Sequence, residues 1–204
     1  MIVRLLTIVA LGLIPAAGAA QLVARDSVIY DLVPSSRLVV RTGKAGLFGF
    51  AGHEHLIQAR EFAGRIVYYP QQPESSHVTV SIAAERLEVL TPRDTAEIRK
   101  VTEAMRTDVL DVAQYPEITL ASQSVIKAGD TLRVQAALTM KGKTRTVPLV
   151  VRVRIGPDTL HATTTFSVRQ SDYGIRPYRG GPAGTVRVAD AVTFDIDAIA
   201  LRRP

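Results

Sequence analysis

Apolar and polar residues alternate along most of this chain, a period of two that suits an extended strand with one buried face. In the stretch Leu132 to Met140, the residues Leu132, Val134, Ala136, Leu138 and Met140 fall on one side. Val147, Leu149, Val151, Val153 and Ile155 repeat the pattern, with Arg152 and Arg154 on the opposite side. The short link Lys141-Gly142-Lys143-Thr144 predicts a hairpin between these two strands. Leu160, Ala162, Thr164, Phe166 and Val168 make a third stripe, and Val192, Phe194, Ile196 and Ala198 a last one. Earlier strand candidates are 28–32, 37–41, 62–69, 78–84 and 118–126.

One segment departs from this period. Thr91-Pro92-Arg93-Asp94 reads as a helix N-cap, a first-turn proline and an early acidic residue, and Ile98, Val101 and Met105 follow at helical spacing. One α-helix is therefore expected at about 92–107, before Tyr115-Pro116 restores an extended chain. Many strands joined mostly by short turns predict an all-β fold, either a closed barrel or a sandwich, and periodicity does not separate the two. A barrel of about eight strands has an interior just wide enough to be filled by side chains or to hold one ligand.

The first twenty residues stand apart from this pattern. Arg4, the apolar run Leu5 to Ile14, Pro15 and the small residues Ala16-Ala17-Gly18-Ala19-Ala20 follow the order of a secretory signal. Cleavage near Ala19 or Ala20 and a periplasmic or secreted location are expected. No Pro-, Gly- or Ser-rich linker divides the remainder, so residues 21–204 are read as one domain. The sequence has no cysteine, which excludes disulfides, thiolate metal sites and thiol nucleophiles. Its low aromatic content and lack of tryptophan argue against stacking on bases or sugars.

Three passages together resemble the YceI-like family of exported polyisoprenoid-binding proteins. They are Asp108 to Ser122 with its Tyr115-Pro116 pair, the hairpin Leu138 to Val147, and Gly52-His53-Glu54-His55-Leu56-Ile57. The resemblance implies an extended antiparallel, lipocalin-like barrel around an elongated apolar tunnel for a polyisoprenoid or similar long-chain lipid. It also implies a binder or carrier with no established catalytic residues and no cofactor. Two histidines in the Gly52 passage, and the Gly-, Pro- and Arg-rich stretch from Gly174 to Gly184, are departures from the family pattern that bear on the ligand's head group.

Several residues are candidates for ligand contact. Leu47, Phe48 and Phe50 lie in a run with glycine at every third position, 43, 46, 49 and 52, read as a pliable apolar turn that either lines a cavity or packs beside it. His53 and His55, two apart, would share one side of a strand. Hydrogen bonding at a cavity mouth is the main reading for them, and a metal-dependent enzyme with a third ligand from elsewhere is the alternative. Leu138 and Phe166 belong to inward stripes.

Charge adds a further pair. Ten basic residues against two acidic ones fall between Thr131 and Ala189, which concentrates the net charge of +6 in this part of the chain. Most are read as solvated outer-face residues. Arg176 and Arg179, flanking Pro177-Tyr178, are the candidates for an anionic head group or membrane surface. Nucleic acid is not an expected partner, since no binding motif is present. A filled barrel that docks another exported protein is the remaining alternative.

Overall fold

The computed structural model describes residues 27–45, 54–90, 95–180 and 186–204. In chain order, β1 (Val28–Leu32), β2 (Arg37–Ala45), β3 (Leu56–Ala59), β4 (Phe62–Tyr68), β5 (His77–Ala83) and β6 (Leu87–Val89) precede a single α-helix, α1 (Thr95–Ala104). After it come β7 (Glu117–Ala128), β8 (Thr131–Met140), β9 (Lys143–Ile155), β10 (Thr159–Arg169), the two-residue β11 (Arg179–Gly180) and β12 (Val186–Arg202). Hydrogen-bonded neighbours run β1-β4-β5-β7-β8-β9-β10-β12, and β12 returns to β1. The chain is thus a closed eight-stranded antiparallel barrel, which settles the choice against a sandwich.

Side-chain alternation explains which face turns inward. In β8, Val134, Ala136, Leu138 and Met140 are buried while Arg133 and Gln135 are exposed. In β9, Val147 and Leu149 are buried, and Thr146, Pro148 and Val150 are exposed. The hairpin between them turns on Lys141 (φ 48°) and Gly142 (φ 67°). Positive φ at both central residues is the type I′ geometry that matches strand twist.

Three staves of the barrel are broken in two. β1 and β2 lie end to end along β12, with Leu32 opposite Ala200 and Arg37 opposite Asp197. Across the gap, the buried Ser36 hydroxyl donates to Ile199 O (2.9 Å) and accepts from Ile199 N (3.0 Å), so the interrupted ladder leaves neither group unpaired. β3 and β4 form the next broken stave, and β5 and β6 the third. Arg60 N to Arg86 O (3.1 Å) and Ala83 N to Glu61 O (3.1 Å) stitch those two breaks together.

Beyond the breaks, β2, β3 and β6 carry the wall upward, but among the described residues β6 has no strand partner on its far side. The helix fills that place. It continues as a π-helical turn, Met105–Val109, which buries Met105, and Arg106 donates to Leu87 O of β6 (3.3 Å). Lys141 at the hairpin tip donates to Val109 O (3.0 Å) and so ties the end of this turn to β8. Of the expected helix at 92–107, residues 92–94 lie outside the described residues, Thr95–Ala104 are α-helical, and the wider turn follows from Met105.

A second interruption lies between β9 and β10, whose pairing is confined to Arg152–Ile155 against Leu160–Thr163. Pro148 sits farther up β9, beyond that pairing, where a missing N–H costs no bond to β10. At this end the 3-10 turn Gln170–Tyr173 and Ile175 pack inward, with Tyr173 and Ile175 almost fully buried. The same turn holds an irregularity in β12 between Val188 and Val192, since Gln170 donates to Ala189 O (2.8 Å) and Ser171 bonds to Asp190.

Candidate functional site

Inward stripes that meet across a closed barrel either interlock or leave a bore. Here they leave two chambers in line. The lower, about 180 Å³, extends from Tyr68, Ser76 and Leu160 up to Leu38, Ile118 and Phe194. The upper, about 100 Å³, lies beneath the turn that follows the helix and is bordered by Met105, Leu110, Met140, Gln170 and Ile175. Size alone limits what fits without rearrangement: an apolar cavity of about 150 Å³ stays dry and holds a molecule the size of benzene.

Among the described residues no Asp, Glu, Lys or Arg lines either chamber. The lower chamber's polar borders are Tyr68, Ser76, His77, Thr119 and Thr164. The Ser76 hydroxyl already accepts from Tyr69 N (3.0 Å), while the buried Thr164 hydroxyl has no partner. Such a lining solvates hydrocarbon, and the exposed His77 is its one imidazole.

The side chains that shape the bore come from alternating positions on every stave. Small residues keep the lower chamber open: Ala162 of β10 and Ala198 of β12 face each other across the strand pair. One register step further, Thr164 faces Ile196, and beyond it Phe166 faces Phe194. The two rings stack with centroids 4.8 Å apart and planes within 5°.

Predicted site residues divide into four groups. Leu138 (2% exposed) and Phe166 line the lower chamber as their stripes implied. Leu47, Phe48, Phe50 and His53 lie outside the described residues. His55 is half-buried just before β3, and its backbone is clamped to Thr42 of β2, with Thr42 N donating to His55 O (3.0 Å) and His55 N donating to the Thr42 hydroxyl (3.1 Å). Thr42 lines the upper chamber, so His55 stands one residue removed from it.

Of the two predicted arginines, Arg176 lines neither chamber. Arg176 is exposed, and Arg179 occupies β11, where it pairs with Arg187 of β12. Other basic residues meet carboxylates on the outer wall. Arg41 pairs with Asp195 (2.6 Å), and Arg65 with Asp31 (2.8 Å), whose carboxyl the Arg65 hydrogen bond and charge hold below its ordinary range. An open outer groove runs over β8, β9, β10, β12 and β2, with Arg37, Arg152, Thr163 and Asp197 along one lateral row.

Several lining residues were not singled out from the sequence. Ile66 and Tyr68 of β4, and Met105, Val109 and Leu110 after the helix, all contribute to the walls. In the last group, Met105 falls in the helical spacing, and Val109 and Leu110 fall in the Asp108 to Ser122 passage that carries the family resemblance.

Comparison with known proteins agrees with this architecture. The family model described as the YceI-like domain matches residues 34–200. Protein YceI of Escherichia coli O157:H7 is 30% identical over 94 residues, which are 46% of this chain and 46% of that protein. Its counterpart in Salmonella newport is 28% identical over the same share of each. The matched region thus spans about half the length of these curated relatives.

Solved structures share the fold at low identity. Burkholderia cenocepacia BcnA superposes with a TM-score of 0.65 at 18% identity, covering 80% of this chain and 95% of that one. A polyisoprenoid binding domain from Saccharophagus degradans, implicated in plant cell wall breakdown, gives a TM-score of 0.61 at 12% identity, covering 85% and 98%.

Proposed function

The chain belongs to the YceI-like family, and from that premise we propose that it is an exported carrier or store that shields the tail of a polyisoprenoid or similar amphiphilic lipid inside its barrel. The observation that carries this reading is the lower chamber, walled by strands and lined mostly by aliphatic side chains. Moving hydrocarbon from water into such a lining is favourable by roughly 0.8 kcal/mol per CH2. Ordering the chain opposes part of that gain, so affinity stays below the sum. The polyisoprenoid-binding relative from Saccharophagus degradans supports the ligand class.

Export rests on the order of charge, apolar run and small residues in the first twenty positions. Arg37 and Arg152 of the outer groove, which form no ion pair among the described residues, suit contact with an anionic membrane surface during loading or release. Protein purified from its native host is expected to yield a prenyl lipid on solvent extraction, read by mass spectrometry. Absence of such a lipid, together with no uptake of added prenyl lipid by the delipidated protein, overturns the proposal. N-terminal sequencing of the exported form is expected to begin just after Ala19 or Ala20; a retained Met1 in a cytoplasmic fraction rejects export.

A further inference from the structure

The two chambers meet at a waist. Along β12, Val192 borders only the upper chamber and Ala198 only the lower, while Phe194 and Ile196 border both. The remaining shared residues are Leu38 of β2, Ile82 of β5 and Ile118 of β7, so the waist is contributed by four strands around the barrel. Phe194 is its one aromatic residue, and Phe166 stacks flat against it from the neighbouring strand, on the lower-chamber side.

Building on the lipid-binding reading above, we propose that the Phe166–Phe194 stack sets the length of hydrocarbon chain the barrel accepts. A tail confined to the lower chamber leaves the stack intact. A longer tail must pass the waist, and the aliphatic residues there have less bulk to move than a phenyl ring. Passage therefore requires Phe194 to leave its stacked position, giving up the ring–ring contact and its packing before the upper chamber adds any apolar surface. The upper chamber adds about 100 Å³ to the lower one's 180 Å³, so both in series accept a longer tail than the lower one alone. The stack thus separates two length classes of one ligand type.

The test uses full-length delipidated protein and three prenyl alcohols of increasing length: geraniol, farnesol and geranylgeraniol. Affinities are compared for the unaltered chain, Phe194→Leu and Phe166→Leu. In the unaltered chain, affinity is expected to stop rising within the series. In Phe194→Leu it continues to rise, with the preference for geranylgeraniol over geraniol about three- to tenfold greater than in the unaltered protein. Should Phe194→Leu fail to fold, Phe166→Leu, which unstacks the pair but leaves Phe194 in place, must show the same shift. An identical length profile in the unaltered and substituted proteins overturns the gate while leaving lipid binding standing. Failure of the unaltered protein to bind any of the three overturns both.

Discussion

Leu32 lies directly over Gly64: a Cβ added to this glycine of β4 would collide with Leu32 Cδ1 on β1. Leu32 is itself part of the lower chamber wall. Gly64→Ala therefore pushes a flexible side-chain end rather than backbone, and the space open to it is the cavity. The expected loss of stability is small, about 1 kcal/mol, because the overpacking relaxes into that space. Lipid uptake is expected to fall measurably, as the displaced Leu32 narrows the chamber. Chemical denaturation and a lipid-uptake assay on the same preparation check both parts.

The hairpin tip is less forgiving. Gly142 has φ 67°, and a Cβ there would lie 2.7 Å from the Tyr115 ring. Gly142→Ala thus combines a left-handed conformation that disfavours side chains with a clash against the residue that leads into β7, a loss of about 1–2 kcal/mol. The melting temperature is expected to drop by several degrees with lipid uptake retained, since Gly142 borders neither chamber. Calorimetry of the variant against the unaltered protein is the measurement.

Both glycines show what the sequence makes legible and what it hides. The link containing Gly142 announces its hairpin, and the stripes of β8, β9, β10 and β12 announce their inward faces, because each is a local pattern. Leu138 and Phe166 were found as lining residues for that reason. Closure of the barrel depends instead on three register pairs joining Tyr30–Leu32 to Ala200–Arg202, at opposite ends of the described chain. Strands β3 and β6, four and three residues long, are too short for alternation to appear. Arg176 and Arg179 were selected by charge, which carries no direction. The waist was hidden because Phe166 and Phe194 meet only once the register of β10 against β12 is fixed.

Asp190 supplies a pH-dependent contact at the upper end. Its carboxylate accepts from the Ser171 hydroxyl (2.6 Å) and the Ser171 N–H (2.8 Å), and these bonds hold its pKa below the ordinary value. A carboxyl with a lowered folded-state pKa contributes stability that is fully present above its unfolded value, about 3.9, and is lost as pH falls through the lower folded value. Acidification below pH of about 4 is expected to release the Gln170–Tyr173 turn from β12. Asp190→Asn removes the ionised acceptor and is expected to flatten this part of the acid dependence. Thermal melts of both proteins from neutral to acid pH provide the check, and parallel curves contradict the assignment.

Ala162 and Ala198, opposite each other on β10 and β12, offer the most direct intervention in the lower chamber. Ala162→Phe places a ring where about 180 Å³ is open, so the added bulk fills space rather than forcing strands apart. Filling an apolar void commonly raises stability by about 0.5–2 kcal/mol, which opposes any residual strain. The folded barrel is therefore expected to persist with unchanged circular dichroism and a melting temperature equal to or above that of the unaltered protein. Lipid uptake should be abolished, because the ring occupies the space a tail would take. Thr163→Val, on the neighbouring position beside the outer groove, serves as the control and is expected to leave uptake intact. Equal uptake by Ala162→Phe and the unaltered protein would place the ligand elsewhere than the lower chamber.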